Sequence, residues 1–240
     1  MSRYILLMIS ALFVLNVQAD ERLPPAFKAY YEVKKGPIVL GRATHELRNG
    51  ADGELEYLSG SDSTGLVELL YSDHIRETTR LKQEGARLVP LEYTYRRNGK
   101  RNRTISQQFD WKAGRVTSHV DDRVYEYPLP PDAIDQSAYQ VSLMVDLAKG
   151  EREFHYPVAG KSGMRVYDIR HVGDERIKTV YGELNTVVIQ RKEKQITTMW
   201  CAYDLHFLPV KIQHEENGSV FAAYLESVEG MPVPGSSAGL

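Results

Sequence analysis

From Phe27 to Val228 the chain is dominated by a two-residue alternation of apolar and polar side chains. Leu91, Tyr93 and Tyr95 point one way while Glu92, Thr94 and Arg96 point the other, the signature of a strand with one covered face. The same period runs through Phe27 to Val33 and Val210 to Gln213, and through Leu184 to Gln190 with a more apolar centre. Turn dipeptides punctuate these runs at short intervals, among them Gly36-Pro37, Asn49-Gly50, Asn98-Gly99, Ala113-Gly114, Tyr181-Gly182 and Asn217-Gly218. Such spacing predicts about a dozen antiparallel strands. The fold class is therefore mainly β, a curved antiparallel meander sheet forming a half-barrel or open barrel.

One stretch breaks the alternation. After Pro128-Leu129-Pro130-Pro131, residues 132–149 contain neither Gly nor Pro, and Ala138, Val141, Val145 and Ala148 recur at spacings of three and four. This predicts a central helix over about 132–149, packed on the apolar face of the sheet. Ser137 followed by Gln140 has the form of a capping box, with Asp135 as an alternative cap. Residues 20–229 read as a single β-rich domain and 230–240 as a disordered tail. A split into two halves at the proline cluster is the competing organisation. At Asn98-Gly99, a two-residue loop would put Ile105, Phe109 and Trp111 on the face opposite Leu91, Tyr93 and Tyr95. A three-residue loop, 97–99, reunites them and sets Tyr95 across from Arg101 and Tyr93 across from Arg103.

The first residues carry an address. Arg3 precedes the apolar run from Ile5 to Val17, and Val17-Gln18-Ala19 offers small residues to a signal peptidase. Residues 1–19 thus read as a secretory signal peptide cut after Ala19, with an uncleaved membrane anchor as the alternative. No later segment is apolar for long enough to span a bilayer, and no Cys stands at the cut site to carry a lipid. A periplasmic location follows as an expectation. The lone Cys201 can close no internal disulfide and reads as a small buried residue. Of the 240 residues 42% are apolar, which excludes a disordered chain, and the formal charge of −2 argues against a nucleic-acid binder.

Candidate chemistry is thin. The seven histidines are spread so that no pair has the spacing of a helical zinc motif, and no thiol cluster assists them. Neither metal nor cofactor is expected. Gly-x-Ser-x-Gly, Ser-x-x-Lys and a Gly-rich phosphate loop are absent, and paired acids such as Asp121-Asp122 sit beside turns as solvated charge. The strongest cluster is basic: Arg96, Arg97, Lys100, Arg101 and Arg103 at one hairpin tip. It reads either as a contact for an anionic lipid or acidic partner, or as a solvated hairpin end stacked on Tyr93 and Tyr95.

Gly85, Pro90 and Tyr93-Thr94-Tyr95-Arg96-Arg97 lead into Phe109-Asp110-Trp111; later come Thr197 to Asp204 and Phe207-Leu208-Pro209-Val210-Lys211-Ile212. In this order and spacing the segments resemble the bacterial exported family called domain of unknown function 3108, over about residues 26–229. Cys201 stands where a larger apolar residue is expected. The resemblance implies a periplasmic, mostly β protein without an established reaction, and it supplies no catalytic residues. The reading that results is a non-enzymatic periplasmic binding or carrier protein for a lipid or other amphiphile of the cell envelope. Its interior candidates are Leu91, Tyr93, Tyr95, Phe109 and Trp111 from the sheet, with Val141 and Val145 from the helix. An envelope scaffold acting through protein contacts is the first alternative, and an envelope-polymer hydrolase the second. A carrier requires an internal cavity lined without charge; an enzyme requires a cleft where perturbed acids or histidines converge.

Overall fold

The computed structural model describes residues 23–64 and 73–234. The expected signal peptide and residues 235–240 of the expected tail lie outside the described residues.

Alternation translates directly into strands. The first limb consists of β1 (Phe27–Lys35), β2 (Ile38–Asn49), β3 (Leu55–Ser63), β4 (His74–Glu84), β5 (Arg87–Asn98), β6 (Arg103–Asp110), β7 (Arg115–Val120) and β8 (Arg123–Pro128). A short β9 (Ile134–Asp135) and the helix α1 (Tyr139–Ala148) follow. The second limb is β10 (Glu153–Gly160), β11 (Gly163–Thr179), β12 (Gly182–Lys192), β13 (Ile196–Ala202), β14 (Leu208–Glu216) and β15 (Ser219–Glu229). All fifteen belong to one open sheet, in the order β8 to β1, then β15 back to β9. Every pairing is antiparallel except that of β9 with β10. The two limbs meet at a seam in mid-sheet, where β1 pairs with β15. Among the described residues no helix is long and apolar enough to cross a membrane.

The sheet curls around α1. Val141, Leu143, Met144, Val145 and Leu147 of the helix are buried in one core with Tyr31, Leu47, Tyr57 and Leu81 of the first limb and Ile169, Ile189 and Met199 of the second. A second cluster gathers Tyr93, Ile105, Phe109 and Val116 against Ala159, with Met164 packed on it. There the limbs touch through side chains rather than through a strand ladder. Gln107 Nε2 and Tyr127 OH donate to Gly160 O at 2.8 and 2.5 Å, and Ser118 Oγ donates to Lys161 O at 2.9 Å. The half-barrel is thus latched while its sheet stays open.

Two local expectations are corrected. The helix spans ten residues, not the whole of 132–149. Ile134 and Asp135 pair with Val158 and Ala159 as a strand, and Asp135 Oδ1 accepts the backbone N–H groups of Ser137 and Ala138 at 2.8 and 2.9 Å. Asp135 thus holds the turn that leads into the helix, whose N-cap, Ala138, has no side-chain cap, and the Ser137 hydroxyl lies beside Ser59 Oγ, 3.4 Å away. The β5–β6 loop is five residues long, because Arg97 pairs with Arg103 and Tyr95 with Ile105. The expected reunion of the apolar face holds, since a shift of four residues keeps side-chain parity. Longer looping puts Ile105, rather than Arg101, opposite Tyr95 and leaves Arg101 in the turn.

Candidate functional site

The residues singled out by their sequence do not form one site. Tyr93 and Phe109 are buried in the second cluster, with Tyr95 and Trp111 packed against it. Trp111 Nε1 donates to Pro90 O at 2.7 Å, and the Arg87 guanidinium lies over its ring. Val141 and Val145 are fully enclosed in the main core, and Leu91 is half-buried. In the basic hairpin, Arg97 pairs with Asp73 at 2.5 Å and Arg103 with Asp121 at 3.7 Å, while Arg96, Lys100 and Arg101 are exposed. None of these residues lines the cavity described below.

Polar groups collect where α1 begins. Thr79 Oγ1 donates to Asp135 Oδ1 at 3.0 Å, and Asp135 Oδ2 is buried without a hydrogen-bond partner among the described residues. Burial pushes the Asp135 carboxyl up to about 6. Next to it, Glu77 accepts from Tyr93 OH at 2.5 Å and from Ser59 Oγ at 2.9 Å, and burial raises its pKa as well. Gln136 Nε2 completes the group by donating to Tyr93 OH.

Beside this network lies a cavity of about 310 Å³ between the two limbs. Its apolar wall comes from Val33 of β1, Met199 of β13, Ile212 of β14 and Phe221 and Ala223 of β15. Tyr139 and Gln140, the first turn of α1, contribute to its lining. The polar fringe is His45, Ser61, Thr197 and His214. His45 Nδ1 shares a 2.6 Å hydrogen bond with Tyr57 OH, which also donates to Gln140 Oε1 at 3.4 Å. The imidazole stands edge-on to Tyr31, with ring centroids 5.2 Å apart, and Tyr31 is itself fixed by a bond from its hydroxyl to Pro209 O. Burial drives the His45 pKa down to about 4, so the ring is neutral at physiological pH. Thr197 Oγ1 and His214 Nδ1 lie 2.9 Å apart. Burial, and then the charge of Arg191, lower the pKa of His214 too. A cavity lined without formal charge results, greasy on most sides and supplied with a few hydrogen-bonding groups.

A larger cleft, about 540 Å³, runs between the β4–β5 turn, α1 and β10. Arg87, Asp132, Lys149, Glu151 and Glu153 line it, so it presents mixed charge to solvent. Among the described residues no group of three or more His, Cys, Asp or Glu side chains gathers as metal ligands. Cys201 is buried, and burial raises its thiol pKa far above the ordinary value.

His45, Thr197 and His214 escape a reading of motifs, yet each leaves a trace. In β2, Ala43, His45 and Leu47 share one parity, so a histidine occupies an inward position. Thr197 and His214 face each other across β13 and β14 in the same manner. A polar residue on the apolar parity of a strand is the signal.

The family described as a protein of unknown function, DUF3108, matches residues 27–226. No curated protein matches the chain. Among solved structures, the chain is similar to the crystal structure of a beta-barrel-like protein of the domain of unknown function DUF1849 from Brucella abortus. The TM-score is 0.55 at 6% identity, and the match covers 86% of this chain and 98% of that one. At such identity the likeness is one of fold.

Proposed function

The chain belongs to the DUF3108 family, and from its own geometry we propose that it is a non-enzymatic periplasmic protein that binds or carries an amphiphile of the cell envelope in the cavity beside His45. The observation behind this reading is the chemistry of that cavity. Its volume of about 310 Å³ falls in the range of small-molecule sites, and apolar walls with a few oriented polar groups are what such sites present. Its two histidines are both biased toward the neutral form, so an apolar chain entering it displaces no paired ion. A β half-barrel with a helix in its hollow suits this use, because the helix end forms part of the wall while the limbs stay fixed by the latch at Gly160.

Glu77 and Asp135 have the raised pKa values that acid catalysis uses, but the hydrolase reading gains little from them. Neither lines the cavity; Asp135 Oδ1 is taken by the turn before the helix and by Thr79, and Glu77 by Tyr93 and Ser59. Their role is to fix the turn that leads into the helix and tie it to β3, β4 and β5.

Native mass spectrometry of the gently purified chain tests the reading. The expected result is an added mass that organic solvent removes and that Ala223→Phe, which fills the cavity, abolishes. A bare protein mass, with no uptake of amphiphile on incubation, overturns it.

A further inference from the structure

Arg191 leaves β12 on the inner face of the sheet, directly across from Thr197 of β13, a residue of the cavity lining. Its guanidinium lies 4.0 Å from the ring centroid of Tyr167 and 5.6 Å from that of Tyr139, and Tyr139 belongs to the cavity wall. The side chain is only 17% exposed. The two tyrosine rings, which stand at 88° to each other, hold the cation by charge–ring attraction but do nothing for its five N–H donors, which lie in a fixed plane.

Those donors are loosely engaged: among the described residues Nε is buried without a hydrogen-bond partner and meets only a long ion pair. The carboxylate nearest to it, Glu193 Oε1, stands 3.7 Å away, beyond hydrogen-bond range. Buried guanidinium groups are normally paired edge-on with carboxylate or phosphate oxygens. The Arg191 charge also reaches His214 at the cavity, where it helps to lower the imidazole pKa.

We propose that Arg191 anchors the head of an anionic amphiphile, a carboxylate or phosphate whose apolar tail lies in the cavity; this rests on the reading of the cavity as an amphiphile site. Tyr139 and Tyr167 hold the guanidinium charge, Thr197 stands opposite on the neighbouring strand, and the cavity beyond Thr197 takes the tail. Glu193, on the exposed turn after β12, competes for the same donors. The ligand class is thus narrower than amphiphiles at large: neutral lipids satisfy the cavity and leave the guanidinium with only its long contact to Glu193.

Titration calorimetry of the full chain with decanoate, decyl phosphate and decanol separates the possibilities. Wild type is expected to hold one of the two anions about tenfold to a hundredfold more tightly than decanol, the range of a charge-assisted hydrogen-bond pair. Arg191→Gln should bring the anions down to the level of decanol while decanol affinity, which also reports folding, is kept. Glu193→Gln, at an exposed position, should tighten the anion severalfold and leave decanol unchanged. Equal affinity for anion and alcohol in wild type, or an anion preference that survives in Arg191→Gln, overturns the anchor but leaves the cavity reading in place. Inorganic phosphate or acetate binding as tightly as the tailed anions also overturns it, since the tail then has no part. If none of the three tailed probes binds, both readings fall.

Discussion

At the scale of single residues, Asp135 and His45 pull stability in opposite directions as pH changes. Asp135 has a native pKa of about 6 against an ordinary 3.8. The native state therefore holds a proton that the unfolded chain gives up, and the stability this supplies is lost as pH rises from about 4 to about 6. His45 is the reverse case, with a native pKa of about 4 against 6.5. There the unfolded chain takes a proton that the native state refuses, so stability is lost as pH falls through the same window. Each shift is about two units, on the order of 3 kcal/mol. Relative to wild type, His45→Gln should gain melting temperature on acidification from pH 7 to pH 4.5, and Asp135→Asn should lose it. Calorimetric melts at the two pH values check this, and parallel curves for all three proteins would refute it. His45 is not conspicuous in the sequence, and Asp135 shows there only as a candidate cap. A two-residue period assigns Tyr93, Phe109 and His45 alike to the inner face, and cannot say which of them meets packed atoms and which meets a void.

At the scale of elements, local pattern fixes the kind of structure better than its limits. The run without Gly or Pro from Asp132 to Lys149 permits a helix throughout, yet Ile134 and Asp135 are drawn into pairing with Val158 and Ala159, residues remote in sequence. The β5–β6 loop shows the same limit: parity fixes which residues share a face, while loop length depends on which inward residues match, and Ile105 matches Tyr95 better than a charged arginine does. The function of α1 as the plug of the half-barrel makes a quantitative demand. Leu147→Ala, at a position 1% exposed, should destabilise the protein by about 2–5 kcal/mol in urea unfolding. Arg101→Glu, in the exposed turn and without an ion pair among the described residues, should stay within about 0.5 kcal/mol of wild type. A large loss from Arg101→Glu would show that the basic hairpin is structural after all.

At the scale of the whole molecule, strand order is what the sequence hides. Alternating segments and turn dipeptides read the same whether the meander runs straight through or starts again at a far edge. Here the connection after Pro128 carries the chain from one edge of the sheet to the other, and only then does it return strand by strand to β1. The competing two-half reading saw the break at the prolines, but the seam between β1 and β15 makes the halves one sheet. Tyr31 pairs with Leu225 across that seam, and both belong to the main core. Deleting β15 should therefore abolish protection across both limbs in hydrogen exchange, rather than only in β14 and its neighbours. Protection retained in β2 to β5 would mean that the first limb folds alone.

The seam also imposes a timetable. The strand made first finds its second neighbour only when β15, at the end of the second limb, has been added, so the sheet cannot be completed ahead of it. One side of β1 stays uncovered for as long as the second limb is still being synthesised, and the two limbs become one sheet only once that limb is whole.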